Sequence, residues 1–326
     1  MNNLPSEEQQ EQPALPFSNL FLNAGVVNGF NKPWMYFFGI SLIVFAYLMI
    51  GGLLLLPLVK IATDAGVTAA ELAGNQYVIF DPVRLGISKN IILMVQFGLF
   101  VAAFIGLYVA VRFIHRKPFL SLLTAFDKFR YKHFFFAFAT WSVVLVIALL
   151  VTVLAAPGEL VWQFDSGKFL QLFVICVLFF PIQTLVEEVV FRAYLLQGLS
   201  QVFKNGWMPL IITSVLFASA HMSNPEISAY GTGLMVSYYM LFAVFLGVIT
   251  LMSEGLELAY GIHLANNLLS ALFITSENSV LKTDALFYAK TEDAGAELIF
   301  AMCALIAVFV LFWFKYRWRN FSLILK

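Results

Sequence analysis

The sequence predicts an all-α fold, a polytopic transmembrane helix bundle of about eight spans with one interfacial amphipathic helix. Three observations carry this. Of 326 residues, 61% are hydrophobic and 12% charged, with a mean hydropathy of +0.87, against about 25% charged residues in an average soluble domain. The apolar residues fall in runs long enough to cross a hydrocarbon layer of roughly 30 Å at 1.5 Å per residue. Between those runs the basic residues gather at alternate loops, as the positive-inside rule requires. Other classes are excluded by the same figures. Zero formal net charge gives no basis for nucleic-acid binding, and the 16% aromatic content suits lipid-facing and interfacial surface. Cys176 and Cys303 lie in apolar runs without metal-ligand spacing and read as packing residues.

Residues 1–33 are polar, rich in Gln and Glu, and lack the basic start of a secretory signal, so a disordered cytoplasmic tail is expected there. The segment 34–165 reads as a group of N-terminal helices. Its first span runs from Trp34 to Val59, and Lys60 to Lys89 forms a polar excursion with no evident site. The second, Asn90–Phe113, ends in His115-Arg116-Lys117. After Pro118, the residues Phe119, Leu122, Leu123 and Phe126 fall at i, i+3, i+4 and i+7, the pattern of the interfacial helix. Arg112, Arg116, Lys117, Lys128, Arg130 and Lys132 against Asp127 alone place this loop in the cytoplasm. The third span, His133–Ala155, leads to an outer loop with Glu159 and Asp165. His115 and His133, at membrane boundaries, are expected to be interfacial.

Residues 166–275 carry the remaining buried polar groups. Span four, Lys168 to about Leu199, contains Pro181, whose missing N–H predicts a kink just ahead of Glu187. Lys204-Asn205-Gly206-Trp207 turns the chain, and Pro209 suits the first turn of span five, which runs through Phe217 to His221 and stops near Asn224-Pro225. Span six, Leu234–Met252, meets a tight turn at Ser253-Glu254-Gly255, and span seven, Leu256–Ile274, carries His263 and Asn267. Residues 276–326 comprise an outer loop, span eight at Leu298–Phe314, and a basic tail with Lys315, Arg317 and Arg319. An even number of crossings with basic loops inside puts both termini in the cytoplasm, and the plasma membrane is the expected location.

Glu187 and Glu188 need a reason inside an apolar run. A charge near the bilayer centre costs roughly 2.5 to 3.5 kcal/mol on insertion scales, so such residues face the bundle interior and mark function. Glu188 and Arg192, four apart, share a helix face and can pair, whereas Glu187 is turned about 100° away and stays available. Counted from the expected cytoplasmic helix ends, Glu188, His221 and His263 each lie about 15 Å deep. His263 and Asn267 share one face, as do Phe217 and His221. Hydrolysis inside a membrane needs water, a base, donors for a tetrahedral oxyanion and a proton for the leaving amine. A carboxylate, two imidazoles and an amide supply all four.

Glu187-Glu188-x-x-x-Arg192, Phe217-x-x-x-His221 and His263-x-x-x-Asn267, in this order on three helices, resemble the CAAX prenyl endopeptidase and bacteriocin-processing family of intramembrane proteases (CPBP, or type II CAAX endopeptidases). The likeness covers roughly Leu170 to Ser270, and all three motifs are intact. It implies an eight-helix bundle around a conical chamber open toward the cytoplasm. Glu187 and His221 would activate water, His263 and Asn267 would hold the oxyanion, and Glu188, Arg192 and Phe217 would support them. Its substrate would be a membrane protein or peptide in the lipid bilayer, and the family name implies cleavage beside a prenylated cysteine, although nothing in these residues requires a prenyl group. No cofactor is required in this reading. The family is often labelled metalloprotease, and the alternative is a divalent metal such as zinc on Glu187, His221 and His263. Two rivals stand beside the protease: a proton-coupled transporter, since buried Glu and His also make proton relays, and a non-catalytic immunity or binding protein on the same scaffold.

Overall fold

The computed structural model describes residues 15–156 and 158–325. The first fourteen residues of the expected tail therefore lie outside the described residues. The rest of that tail is ordered, which corrects the expectation for it. Helix α1 (Leu20–Val27) is capped by Asn19, whose side chain accepts from the Phe21 and Leu22 N–H groups and donates to the Leu251 carbonyl at 2.9 Å. Phe21 and Leu22 are fully buried. A polar average over the whole segment hides this short apolar run.

The bundle follows as α2 (Pro33–Asp64), α3 (Lys89–His115), α4 (Tyr131–Ala155) and α5 (Ser166–Phe203), then α6 (Trp207–Ala220), α7 (Pro225–Tyr230), α8 (Thr232–Ser253), α9 (Glu257–Phe273) and α10 (Ala294–Tyr316). Six of these, α2, α3, α4, α5, α8 and α10, are long and apolar enough to cross a membrane. Their outward faces carry exposed Phe37, Phe113, Leu154, Leu178 and Phe314, as a lipid contact demands. The chain is an all-α integral membrane protein. Helices α6 and α9 are shorter; α6 reaches only about 21 Å at 1.5 Å per residue. Its last turn therefore ends within the membrane layer, with His221 as its C-cap.

Several apolar clusters hold the helices together, and the two largest span most of the bundle. One joins α4, α8, α9 and α10 through Trp141, Leu246, Ile262 and Phe312; the other joins α2, α3 and α5 through Ile43, Leu107, Val189 and Tyr194. Helix α5 does not break at Pro181. It continues to Glu188, the Pro181 carbonyl accepts from the Tyr260 hydroxyl at 3.0 Å, and the ladder widens only afterwards, as a π-helical stretch at Val189–Leu195. The local opening expected before the acid pair thus follows it.

Several polar segments also depart from expectation. Phe119–Leu122 is a single 3₁₀ turn, not an interfacial amphipathic helix. Leu122 is fully buried, Thr124 bridges to Gly255, and the Leu256 N–H donates to the Leu123 carbonyl at 2.8 Å. The i, i+3, i+4 spacing there reflects inward packing against α5. His115 is not interfacial but completely buried, its ring nitrogens on the Phe30 carbonyl (2.8 Å) and the Tyr194 hydroxyl (2.7 Å). His133, half-buried, stacks on Tyr316 at 4.7 Å between centroids. At the opposite end of the bundle a small sheet ties the connecting loops: β1 (Leu160–Trp162) pairs antiparallel with β3 (Phe287–Ala289), which pairs parallel with β2 (Ile274–Thr275). The excursion 65–88 folds into short helical turns at that same end, where the Tyr77 hydroxyl donates to Asn224 at 2.8 Å.

Candidate active site

The chain direction along α5 brings Glu187 to the wall of a central cavity of about 960 Å³, at the upper end of the range for ligand pockets. Glu188 faces away from that cavity into the core. It is fully buried and pairs with Arg192 at 2.9 Å, one helical turn on, and the Arg192 guanidinium in turn lies over the Phe217 ring at 4.0 Å. The adjacent Glu187, rotated by one residue, is 12% exposed and lines the cavity. One acid is locked in the core and its neighbour faces the cavity.

His263 on α9 sits between them. Its Nδ1 is 2.6 Å from Glu188 Oε1, so an Nδ1–H donated to that carboxylate fixes the tautomer and turns Nε2 toward the cavity. There Nε2 is 3.3 Å from Glu187 Oε2 and 3.2 Å from Asn267 Nδ2. Asn267, one turn further along α9, also donates to Gln183 Oε1 at 3.0 Å. Behind it the Trp141 indole donates to Asn266 Oδ1 and the Asn266 amide to Asn267 Oδ1, both at 3.1 Å. These bonds hold the Asn267 amide in a single orientation.

His221 approaches from α6. Its Nδ1–H donates to the Phe217 carbonyl at 2.7 Å, which leaves Nε2 as the nitrogen open to the cavity. The ring stands between Phe217 (4.4 Å) and Tyr239 (4.6 Å). No hydrogen bond joins Glu187 to His221 among the described residues, though both line the same cavity. The structure therefore brings Glu187, Glu188, Arg192, Phe217, His221, His263 and Asn267 to one place, with Glu187, His221, His263 and Asn267 reaching the cavity.

Glu187, His221 and His263 do not converge as a metal-ligand set: among the described residues no group of three such side chains is arranged to hold a metal ion. His263 Nδ1 is committed to Glu188, and Nε2 faces Glu187 and Asn267.

Sequence reasoning missed four participants. Gln183, four residues before Glu187 on the same face, and Asn266, beside Asn267, were reachable by helical spacing. Tyr239 and Tyr77 were not. They arrive from segments with no register relation to the motifs, Tyr77 from the excursion judged to hold no site, and both line the cavity.

Comparison with known proteins agrees with the motifs. Residues 168–269 match the family described as Rce1-like, Type II CAAX prenyl endopeptidase. The chain is also 28% identical over 256 residues, 78% of its length and 82% of the relative's, to a Bacillus subtilis (strain 168) protein described as "Uncharacterized protein YyaK". No solved structure matches. Through the segment 168–269, which holds nearly all of α5, all of α6, α7 and α8 and most of α9, this chain is similar to the Rce1-like type II CAAX prenyl endopeptidases.

Proposed function

We propose that the protein is an intramembrane endopeptidase that hydrolyses a peptide bond in a membrane-anchored protein or peptide, without a metal, in the plasma membrane. One observation carries the reading: at membrane depth, Glu187 Oε2 stands 3.3 Å from an imidazole nitrogen whose partner nitrogen is committed to a second, buried carboxylate. In this reaction Glu187, with His221 Nε2 facing the same cavity, takes a proton from water as the water oxygen attacks the scissile carbonyl carbon. The carbonyl π electrons move to its oxygen. When His263 Nε2 carries a proton, that N–H and the adjacent Asn267 N–H form a pair of donors for the resulting oxyanion. The proton held by Glu187 then passes to the amide nitrogen as the C–N bond breaks. Glu188 and Arg192 fix the His263 ring and leave no net charge loose in the core.

Past Glu187 the chamber continues to Phe191 and Leu195 on α5, and the buried Val189, Ala193 and Tyr194 pack behind that wall. Solute flux in proteoliposomes without any cleavage product would favour a proton-coupled carrier instead.

The deciding experiment incubates purified protein with acylated peptides in detergent or liposomes and reads products by mass spectrometry. Glu187→Gln and His221→Ala are expected to abolish turnover. Asn267→Ala is expected to raise the barrier by about 2.7 to 4 kcal/mol, or about 10² to 10³ in rate. A chelator is expected to leave the wild type unchanged. Equal turnover by Glu187→Gln and wild type would discard the catalytic roles, and loss of activity on chelation would reinstate the metal.

A further inference from the structure

The charge pattern and the chamber point to opposite ends of the bundle. The antiparallel order of the helices puts Arg112, Arg116, Lys128 and Lys132, the turn at Lys204 and the Lys315–Arg319 tail at one end. Every connection at the other end, 60–89, 158–168, 222–231 and 276–297, is mixed or acidic, with eleven Asp and Glu against six Lys and Arg. The chamber runs from Ile40 and Leu195, past Glu187, to this second end. Its upper walls are Tyr77, Asn224, Tyr230, Asn278 and Glu292, all half-buried, and the exposed Ser270 on α9. It also breaks out sideways at lipid depth, where exposed Val44 and Leu48 of α2 face Leu216 of α6. Toward the basic end it is closed by the buried layer of Leu122, Tyr194, Gln197 and Leu256, with the Gln197 amide donating to the Phe21 and Ser121 carbonyls at 3.0 and 3.1 Å.

Basic loops in the cytoplasm and a chamber open to the cytoplasm thus cannot both hold for this chain. Basic residues flanking short loops resist translocation individually, whereas a cavity mouth has no such constraint. We propose that the chamber opens to the non-cytoplasmic face and to the lipid, so that the bond cut lies in the outer half of a membrane-anchored chain. A prenylated C-terminal tail presented from the cytoplasm has no route to Glu187. The fitting substrate is a peptide with an apolar anchor that enters between α2 and α6 and a polar segment that lies along the Tyr77, Asn224 and Asn278 rim. This rests on the proteolytic reading above.

Orientation and cleavage can be tested apart. In full-length protein with Cys176→Ala and Cys303→Ala, single cysteines at Glu277→Cys, Ser270→Cys and Lys128→Cys are probed in intact cells with a membrane-impermeant maleimide. Glu277 is 75% exposed at the chamber end, and Lys128 is exposed in the basic loop. Labelling of Glu277→Cys and Ser270→Cys in intact cells, with Lys128→Cys labelled only after permeabilisation, is expected. The reverse pattern, or Glu277→Cys and Lys128→Cys labelled alike, overturns the proposal. An acylated, internally quenched peptide is then added outside intact cells and, separately, to inverted vesicles. Cleavage from outside, lost in Glu187→Gln, is expected, and cleavage in inverted vesicles alone overturns the substrate side. Expected labelling with no cleavage on either side sinks the proteolytic reading, and the substrate with it, while the orientation stands.

Discussion

Arg192 shows how much one residue carries here. Its side chain is 2% exposed, bonded to Glu188 through Nη1 and laid over Phe217, so a single side chain from α5 braces both the acid pair and the helix that bears His221. Taking two charges out of water is costly, and the pair persists because each compensates the other. Removing one partner leaves the other uncompensated. Arg192→Leu is therefore expected to cost about 3 to 5 kcal/mol of stability, read as a fall in thermal midpoint in detergent. A midpoint unchanged from wild type would mean that His263 alone neutralises Glu188. The same locality explains the tautomers: a carboxylate on His263 Nδ1 and a backbone carbonyl on His221 Nδ1 leave each ring with Nε2 for the chamber.

At the scale of elements, the position of His263 depends on how closely α9 approaches α4. Gly261, two residues away, lies so near that a Cβ there would stand 2.4 Å from the Phe134 carbonyl oxygen and 3.0 Å from the Phe138 nitrogen. Both are backbone atoms, so no side-chain rotation relieves the contact. Small residues at such crossings allow helices in lipid to pack backbone to backbone. Gly261→Leu is expected to push α9 from α4, with an overpacking cost of about 1 to 3 kcal/mol. Turnover should fall as well, since His263 rides on the displaced segment. Wild-type melting and wild-type turnover together would show that α9 is not seated by this contact. The lower end of α9 is pinned separately, by Arg130 gripping the buried Glu257 through Nε (3.0 Å) and Nη2 (2.7 Å).

For the whole molecule, stability at the basic end couples to pH. Lys117 is 4% exposed, with its ammonium near the Tyr36 hydroxyl at 3.2 Å and over that ring. Burial pushes it down from 10.5 to about 7. Between those values the unfolded chain holds a proton that the folded chain has released, so stability rises as pH rises through that window. Lys117→Met is expected to remove this slope and to stabilise the protein most near pH 7. Thermal midpoints of both proteins across the window check it, and parallel pH profiles would refute it. This end is the sealed floor of the chamber, so its stiffness bears on the site above.

Much of this was legible in the chain alone. Mean hydropathy and run length determined an all-α membrane bundle, because lipid leaves a buried backbone no other way to satisfy its polar groups. Helical periodicity determined that Glu188 pairs with Arg192 while Glu187 does not, since both facts follow from about 100° per residue. The fate of polar connecting segments was not legible. Residues 119–126 show a helical spacing yet pack as a buried plug, the ordered part of the N-terminal segment docks through Asn19, and Tyr77 reaches the chamber from a loop that looked empty. Each outcome depends on contacts between residues far apart in sequence, which no local pattern encodes. The chamber's direction belongs to the same class: loop charges gave each helix end a side, but only the packing of α5 against the 118–125 segment decided which end was shut.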